Sequence, residues 1–127
     1  MRDLIISAVV VLVLITGWLI FDNYSQDAVE EMSSYIMEDI LPVVESESWK
    51  KGIEMTEKLD KDWHRYKKIA LFFLETDAIN DIDYALAKSV EYVKAEDVSN
   101  STGELKSMSE QLSFLGSQEK ITLPNIF

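Results

Sequence analysis

The chain has no cysteine and a single histidine, His64, among its 127 residues. Without cysteine there is no disulfide, no thiolate metal site and no lipoprotein-type anchor through a modified cysteine. Basic residues are also scarce. Beyond the first 21 residues, removal of Arg2 and Asp3 from the totals leaves 11 basic against 22 acidic side chains, a net charge still of −11. Such a surface is repelled by nucleic acid and by anionic lipid headgroups. It serves solubility or a cationic partner. No glycine-rich phosphate cradle is present, and no run alternates as a strand before Ile121-Thr122-Leu123.

What stands out is an apolar run. Residues 4–21 contain no charge and are interrupted only by Ser7, Thr16 and Gly17. A helix of that length spans about 27 Å, close to the hydrocarbon thickness of a bilayer. A cleaved signal has a shorter apolar stretch followed by small residues. Here the run leads into Trp18, Leu19, Ile20 and Phe21 with no A-x-A pattern, and Trp18 and Tyr24 sit where an interfacial aromatic belt holds a helix end. A retained anchor is therefore expected over residues 1–21. The run holds no ionisable residue of the kind that marks an ion pathway and no GxxxG pair for tight helix association. It anchors rather than conducts.

Orientation follows from the flanks. Arg2 and the terminal amine precede the run, whereas eight acidic residues from Asp22 to Glu47 follow it before the next basic residue, Lys50. The positive-inside rule places the amino end in the cytoplasm and residues 22–127 outside the cell membrane.

This outer part reads as one all-α domain, an antiparallel bundle of about four helices with a short extended C-terminal tail. Val29, Met32, Ile36, Ile40 and Val43 form a first stripe at 3-and-4 spacing, continuing from the anchor until Pro42 kinks or ends the helix. Ser48 is available as the next N-cap. A second helix is expected over residues 48–74, with Trp49, Leu59, Trp63, Tyr66 and Phe73 on its apolar side. Seven of the 11 outer basic residues fall on it, and Glu47–Lys51, Glu54–Lys58 and Glu57–Lys61 are spaced to pair along an exposed face. A third helix begins near Asn80, read as its N-cap, with Ile79, Ile82, Leu86, Val90 and Val93 buried. Ser101 or Thr102 caps a fourth, carrying Leu105, Met108, Leu112 and Leu115 and closed by Gly116. Pro124 and the alternation around Thr122 make residues 119–127 an extended tail, which either fills a groove between helices or docks on a partner.

No residue qualifies as catalytic, cofactor-binding or metal-binding. Asp60 precedes His64 by one helical turn and could orient its ring, but nucleophilic catalysis needs a Ser or Cys partner in a shaped pocket. Lys61 stands where a di-iron bundle has the glutamate of its Glu-x-x-His pair. Asp77, Asp81 and Asp83 lack the spacing and the glycine of an EF-hand loop. A non-enzymatic role is expected, and no cofactor.

The order of a short basic end, one membrane helix, Glu47-Ser48-Trp49-Lys50-Lys51, Trp63 and Ile79-Asn80-Asp81-Ile82-Asp83-Tyr84-Ala85-Leu86-Ala87 resembles a domain-of-unknown-function family. That family comprises small single-pass proteins of endospore-forming Gram-positive bacteria. Thr76 and Ala78 stand where its pattern has a histidine and a glutamate, and Pro42 interrupts a helix expected to be unbroken. The resemblance implies an outward helical domain with multi-pass membrane proteins as partners, and it supplies no site residue. Two function classes remain. One is an interaction or accessory subunit, docking on a membrane partner or on a second copy. The other is a sensor-like ectodomain holding a small ligand between helices, against which stands a cytoplasmic side of about three residues.

Overall fold

A computed structural model describes the backbone of residues 1–126 and the side chains of residues 1–116. It is all-α, and no strand occurs among the described residues. Four helices follow one another: α1 (Arg2–Glu45), α2 (Trp49–Ala70), α3 (Thr76–Lys94) and α4 (Val98–Ile126). The turns between the first three pairs of ends are so short that neighbouring helices run antiparallel.

α1 is continuous but not uniform. It is α-helical over Arg2–Ser34, passes through a π-helical turn at Tyr35–Ile40 and resumes at Leu41–Glu45. Its first turns are largely uncovered, Trp18 is half-buried beside Phe73, and Phe21 is the first residue to be buried. From there Val29, Met32, Ile36 and Ile40 face the core, as their spacing predicts, joined by Leu41 and Val44. Met32, Ile36, Ile40 and Val44 are four apart, and at 3.6 residues per turn such a row drifts by about 40° at each step. The wider π turn absorbs that drift and keeps the row on one face. Pro42 does not end the helix. It follows directly on the wide turn, where the Leu41 N–H reaches back to the Ile36 carbonyl, so its missing donor falls where the ladder has already changed register.

The core closes around α1 from three sides. α2 contributes Leu59, Trp63, Tyr66 and Ala70, α3 contributes Ile79, Ile82, Ala85, Leu86 and Val93, and α4 contributes Leu105, Met108, Leu112 and Leu115. Trp49 is only half-buried and Phe73 is exposed, contrary to their reading as core residues. The early turns of α2 instead bury Gly52 and Thr56, which explains their weak hydrophobic periodicity. At Gly52 a Cβ would meet Val93 and Val44 side chains at 3.5 and 3.6 Å, an ordinary contact.

Short polar links fix the register of α1 against α4. The Gln26 Nε2–H donates to the Gly116 carbonyl at 3.2 Å, and the Ser33 and Ser109 hydroxyls meet at 2.7 Å. Seven residues along α1 thus match seven back along α4. Gly116 takes no left-handed conformation and closes nothing. It lies buried against Gln26 and Val29 of α1, and the helix passes through it. The helical assignment of α4 reaches Ile126 and so takes in most of the stretch read as an extended tail. How that stretch packs lies outside the described residues.

Helix starts differ from the sequence reading in an instructive way. α3 begins at Thr76 rather than near Asn80, which lies inside it. α4 begins at Val98, capped by Asp97: its Oδ1 accepts the Asn100 backbone N–H at 3.0 Å, and its Oδ2 accepts the Asn100 side-chain amide at 2.7 Å. These bonds hold the Asp97 carboxyl below its ordinary pKa. Ser101 and Thr102, expected as the cap, lie one turn later and donate back to the Asp97 and Val98 carbonyls. Ser48 occupies the N-cap position of α2, but its hydroxyl meets Ser46 instead of a helix N–H.

α1 and α3 end alike. The Ser48 N–H reaches the Val43 carbonyl and the Glu47 N–H reaches Val44; at the other end Asp97 reaches Tyr92 and Glu96 reaches Val93. Both are Schellman closures, with Glu47 (φ 60) and Glu96 (φ 59) at the left-handed position glycine favours. A side chain there costs about 1–2 kcal/mol, part of which the extra freedom of glycine in the unfolded chain offsets. Glu96→Gly is therefore expected to stabilise the full chain by about 0.5–1 kcal/mol, read as a higher Tm by circular dichroism in detergent. A lower Tm would refute the assignment of strain to this position.

Candidate functional site

The residues weighed for chemistry in the sequence do not converge. His64 is exposed, and its Nδ1 donates to the Asp60 carbonyl at 2.8 Å with the Asp60 carboxylate 3.3 Å away. The carboxylate does sit one turn before the ring, as the spacing predicts, but on an open helix face. Asp77 and Asp81 are exposed, whereas Asp83 turns inward to α2. Its Oδ1 accepts the Trp63 indole N–H at 2.6 Å and its Oδ2 pairs with the Lys67 ammonium at 2.5 Å. Asp83 is thus the polar clasp between α2 and α3. Among the described residues no group of three His, Cys, Asp or Glu side chains gathers as a metal site would require.

A groove of about 790 Å³ runs along the seam between α1 and α2. Tyr24 and Tyr66 line it towards the apolar end of α1, and Tyr35, Lys58 and Asp62 line it farther out. Tyr66 is buried and its hydroxyl is hydrogen-bonded to that of Ser25. Lys58 donates to Asp62 at 3.0 Å and lies 4.5 Å from the Tyr35 ring centroid, a cation–π placement. The bond to Asp62 holds the Lys58 ammonium above its ordinary pKa. Burial raises the Tyr35 phenol, an effect the Lys58 charge opposes. Sequence spacing suggested Glu54 as the partner of Lys58. Asp62 at the opposite i,i+4 position takes that role, because it is the one on the groove side. The groove combines aromatic walls with charges of both signs.

An aromatic series connects this seam to the end of the apolar run. Trp63 and Tyr66 rings lie 5.7 Å apart, Tyr66 and Phe21 stack at 6.5 Å, Phe21 and Phe73 stack at 4.3 Å, and Trp18 meets Phe73 edge-on at 5.9 Å. Nothing in the periodicity announced this, since Phe21 and Phe73 each lie at the edge of their own helix pattern.

Fold and site together define a helical bundle built on one long helix with an apolar first half, with a groove along the seam between α1 and α2. Residues 19–126 match the sequence model of the domain of unknown function DUF4363, and the chain belongs to that family. No match was found among curated proteins or among solved structures.

Loss of the Asp83 clasp gives a direct check on the α2–α3 packing. Asp83→Ala leaves the Trp63 N–H without its acceptor and Lys67 without its counter-charge, an expected loss of about 2–3 kcal/mol. Asp83→Asn keeps an acceptor for Trp63 and should lose less. Equal melting temperatures for Asp83→Ala and the unaltered chain would show that the clasp contributes nothing.

Proposed function

We propose that the protein is a single-pass membrane protein whose amino end lies in the cytoplasm and whose helical domain stands outside. There it serves as a non-enzymatic interaction or accessory subunit for a membrane partner or a second copy. The observation that carries this reading is the continuity of α1. One helix, Arg2–Glu45, is long and apolar enough to cross a membrane over its first half, where its most apolar window is only 6% buried within the protein. Its second half supplies the central stripe of the bundle. A helix apolar on all sides and uncovered by its own chain requires an apolar surrounding, and a bilayer supplies it. Arg2 on one side and the acidic residues on the other support the orientation.

Outside the apolar run, Tyr84 on α3 and Phe114 on α4 remain exposed, at 66% and 59%. Such aromatic side chains are typical anchors of protein interfaces. The groove between α1 and α2 supports the second reading, a small ligand held between helices, because it is preformed and carries aromatic walls.

A single cysteine tests the orientation, since the chain has none of its own. Ser101 is buried, so Ser99, exposed on the first turn of α4, is the suitable site. Ser99→Cys should react with an impermeant maleimide on intact cells. Reaction only after lysis would reverse the topology. A photo-reactive residue at Phe114 then tests the interaction role, with a discrete cross-linked species expected in native membranes. A chain that stays monomeric there, and likewise with the probe at Tyr84, would favour the ligand-binding reading.

A further inference from the structure

We propose that the turn between α2 and α3, residues 71–74, is a second membrane contact that dips into the interfacial layer of the bilayer beside α1 and fixes how the domain stands on it. This rests on the membrane-anchored reading given above. The turn is made of Leu71, Phe72, Phe73 and Leu74, a solid apolar stretch at the tip of a domain otherwise rich in charge. Phe72 is 84% exposed, Leu71 45%, and Ile69 in the last turn of α2 42%. In water, large apolar side chains grouped in this way are disfavoured, and such patches mark interaction surfaces.

The height of the turn identifies what covers it. Phe73 stacks on Phe21, the last residue of the uncharged run, and touches Trp18 one turn earlier. The tip therefore lies level with the end of the span, where a bilayer changes from hydrocarbon to headgroups, where Trp settles with one side wet and where the Phe and Leu of interfacial segments insert. Fixed there by its neighbour, Phe72 has lipid beside it. On α2 just before the tip, Arg65 and Lys68 are exposed, positions from which long cationic side chains reach the headgroup layer while their stems stay apolar. Asp22, Glu75 and Asp77 stand near the same level, so charge attraction is not the driving term and the contact is made by apolar insertion. It should form on zwitterionic lipid.

The consequence is orientational. A single span is free to tilt in any direction about the membrane normal. A second contact on one side of α1 selects the tilt that brings the turn down, and the bundle, continuous with α1, follows. The faces carrying Tyr84 and Phe114 then hold a fixed attitude to neighbouring membrane proteins.

The test uses the full chain in phosphatidylcholine vesicles with an environment-sensitive fluorophore on a single cysteine at Leu12, Phe72 or Ser99. Phe72→Cys is expected to give blue-shifted emission and strong quenching by lipids labelled shallow in the acyl chain. Leu12→Cys should be quenched by lipids labelled deep, and Ser99→Cys only by an aqueous quencher. If the probe at Phe72 behaves like that at Ser99 while Leu12 reports hydrocarbon, the second contact is overturned and the anchor stands. If Leu12 also reports water, the anchor fails and this inference with it. Because a cysteine removes the Phe72 ring, Leu71→Cys provides a second probe with Phe72 intact. An aqueous signal from both positions overturns the proposal.

Discussion

Everything in this molecule hangs on one unbroken helix that is apolar and uncovered in its first half and core-forming in its second. α1 satisfies its backbone donors internally through almost its whole length, which allows the same element to leave the bundle without exposing polar groups. The residues decide where it changes role: uncharged through Phe21, striped thereafter. Between Trp18 and Leu41 there is neither glycine nor proline, so nothing offers a hinge at the changeover. Any rotation or tilt of the apolar half is therefore a movement of the core, because the two halves are one rod.

The interior reflects that constraint. Among the described residues its buried polar side chains, Ser25, Thr56, Ser89, Ser101 and Ser109, are all small hydroxyls. Thr56, Ser89 and Ser101 return their protons to carbonyls of their own helix, whereas Ser25 and Ser109 reach another helix. Small side chains let α1 approach its neighbours closely, and each hydroxyl avoids the cost of an unpaired buried group. The acidic excess stays outside. Asp83 turns inward against both a cation and an indole donor, the condition under which a carboxylate tolerates partial burial.

Stripes were legible in the sequence and helix ends were not. Ile79, Ile82, Leu86 and Val93, or Leu105, Met108, Leu112 and Leu115, declare their faces because burial selects apolar residues at helical spacing. Caps depend on which of several polar candidates meets a free N–H. In the run from Asp97 to Thr102 every residue but Val98 is a competent cap, and geometry chose the earliest. Gly116 was misleading for a related reason: glycine ends helices but also permits close helix contact, and only the neighbour, α1, tells these apart. The groove was invisible because its walls come from two separate stretches, residues 24–39 and 58–66, and Tyr35 and Lys58 carry no spacing signal. The π turn had a trace, the four-residue steps from Met32 to Val44, which a straight α-helix does not keep on one face.

The same architecture bears on which of the two readings the groove and the surface favour. A ligand shifts a protein only if it binds two arrangements with different affinity. The groove lies between α1 and α2, and at its inner end these helices are joined by the Ser25–Tyr66 bond and the Phe21–Phe73 stack. At its outer end Ile40 and Val44 of α1 are fully buried. Opening or closing the seam would have to break one of those ends, while Lys58 and Asp62 in the middle are free to rearrange without moving either helix. A ligand there would change local charge and little else. A partner resting on the exposed faces needs no such motion, only a domain held steadily, and a rod shared between the bundle and the apolar half of α1 provides that steadiness.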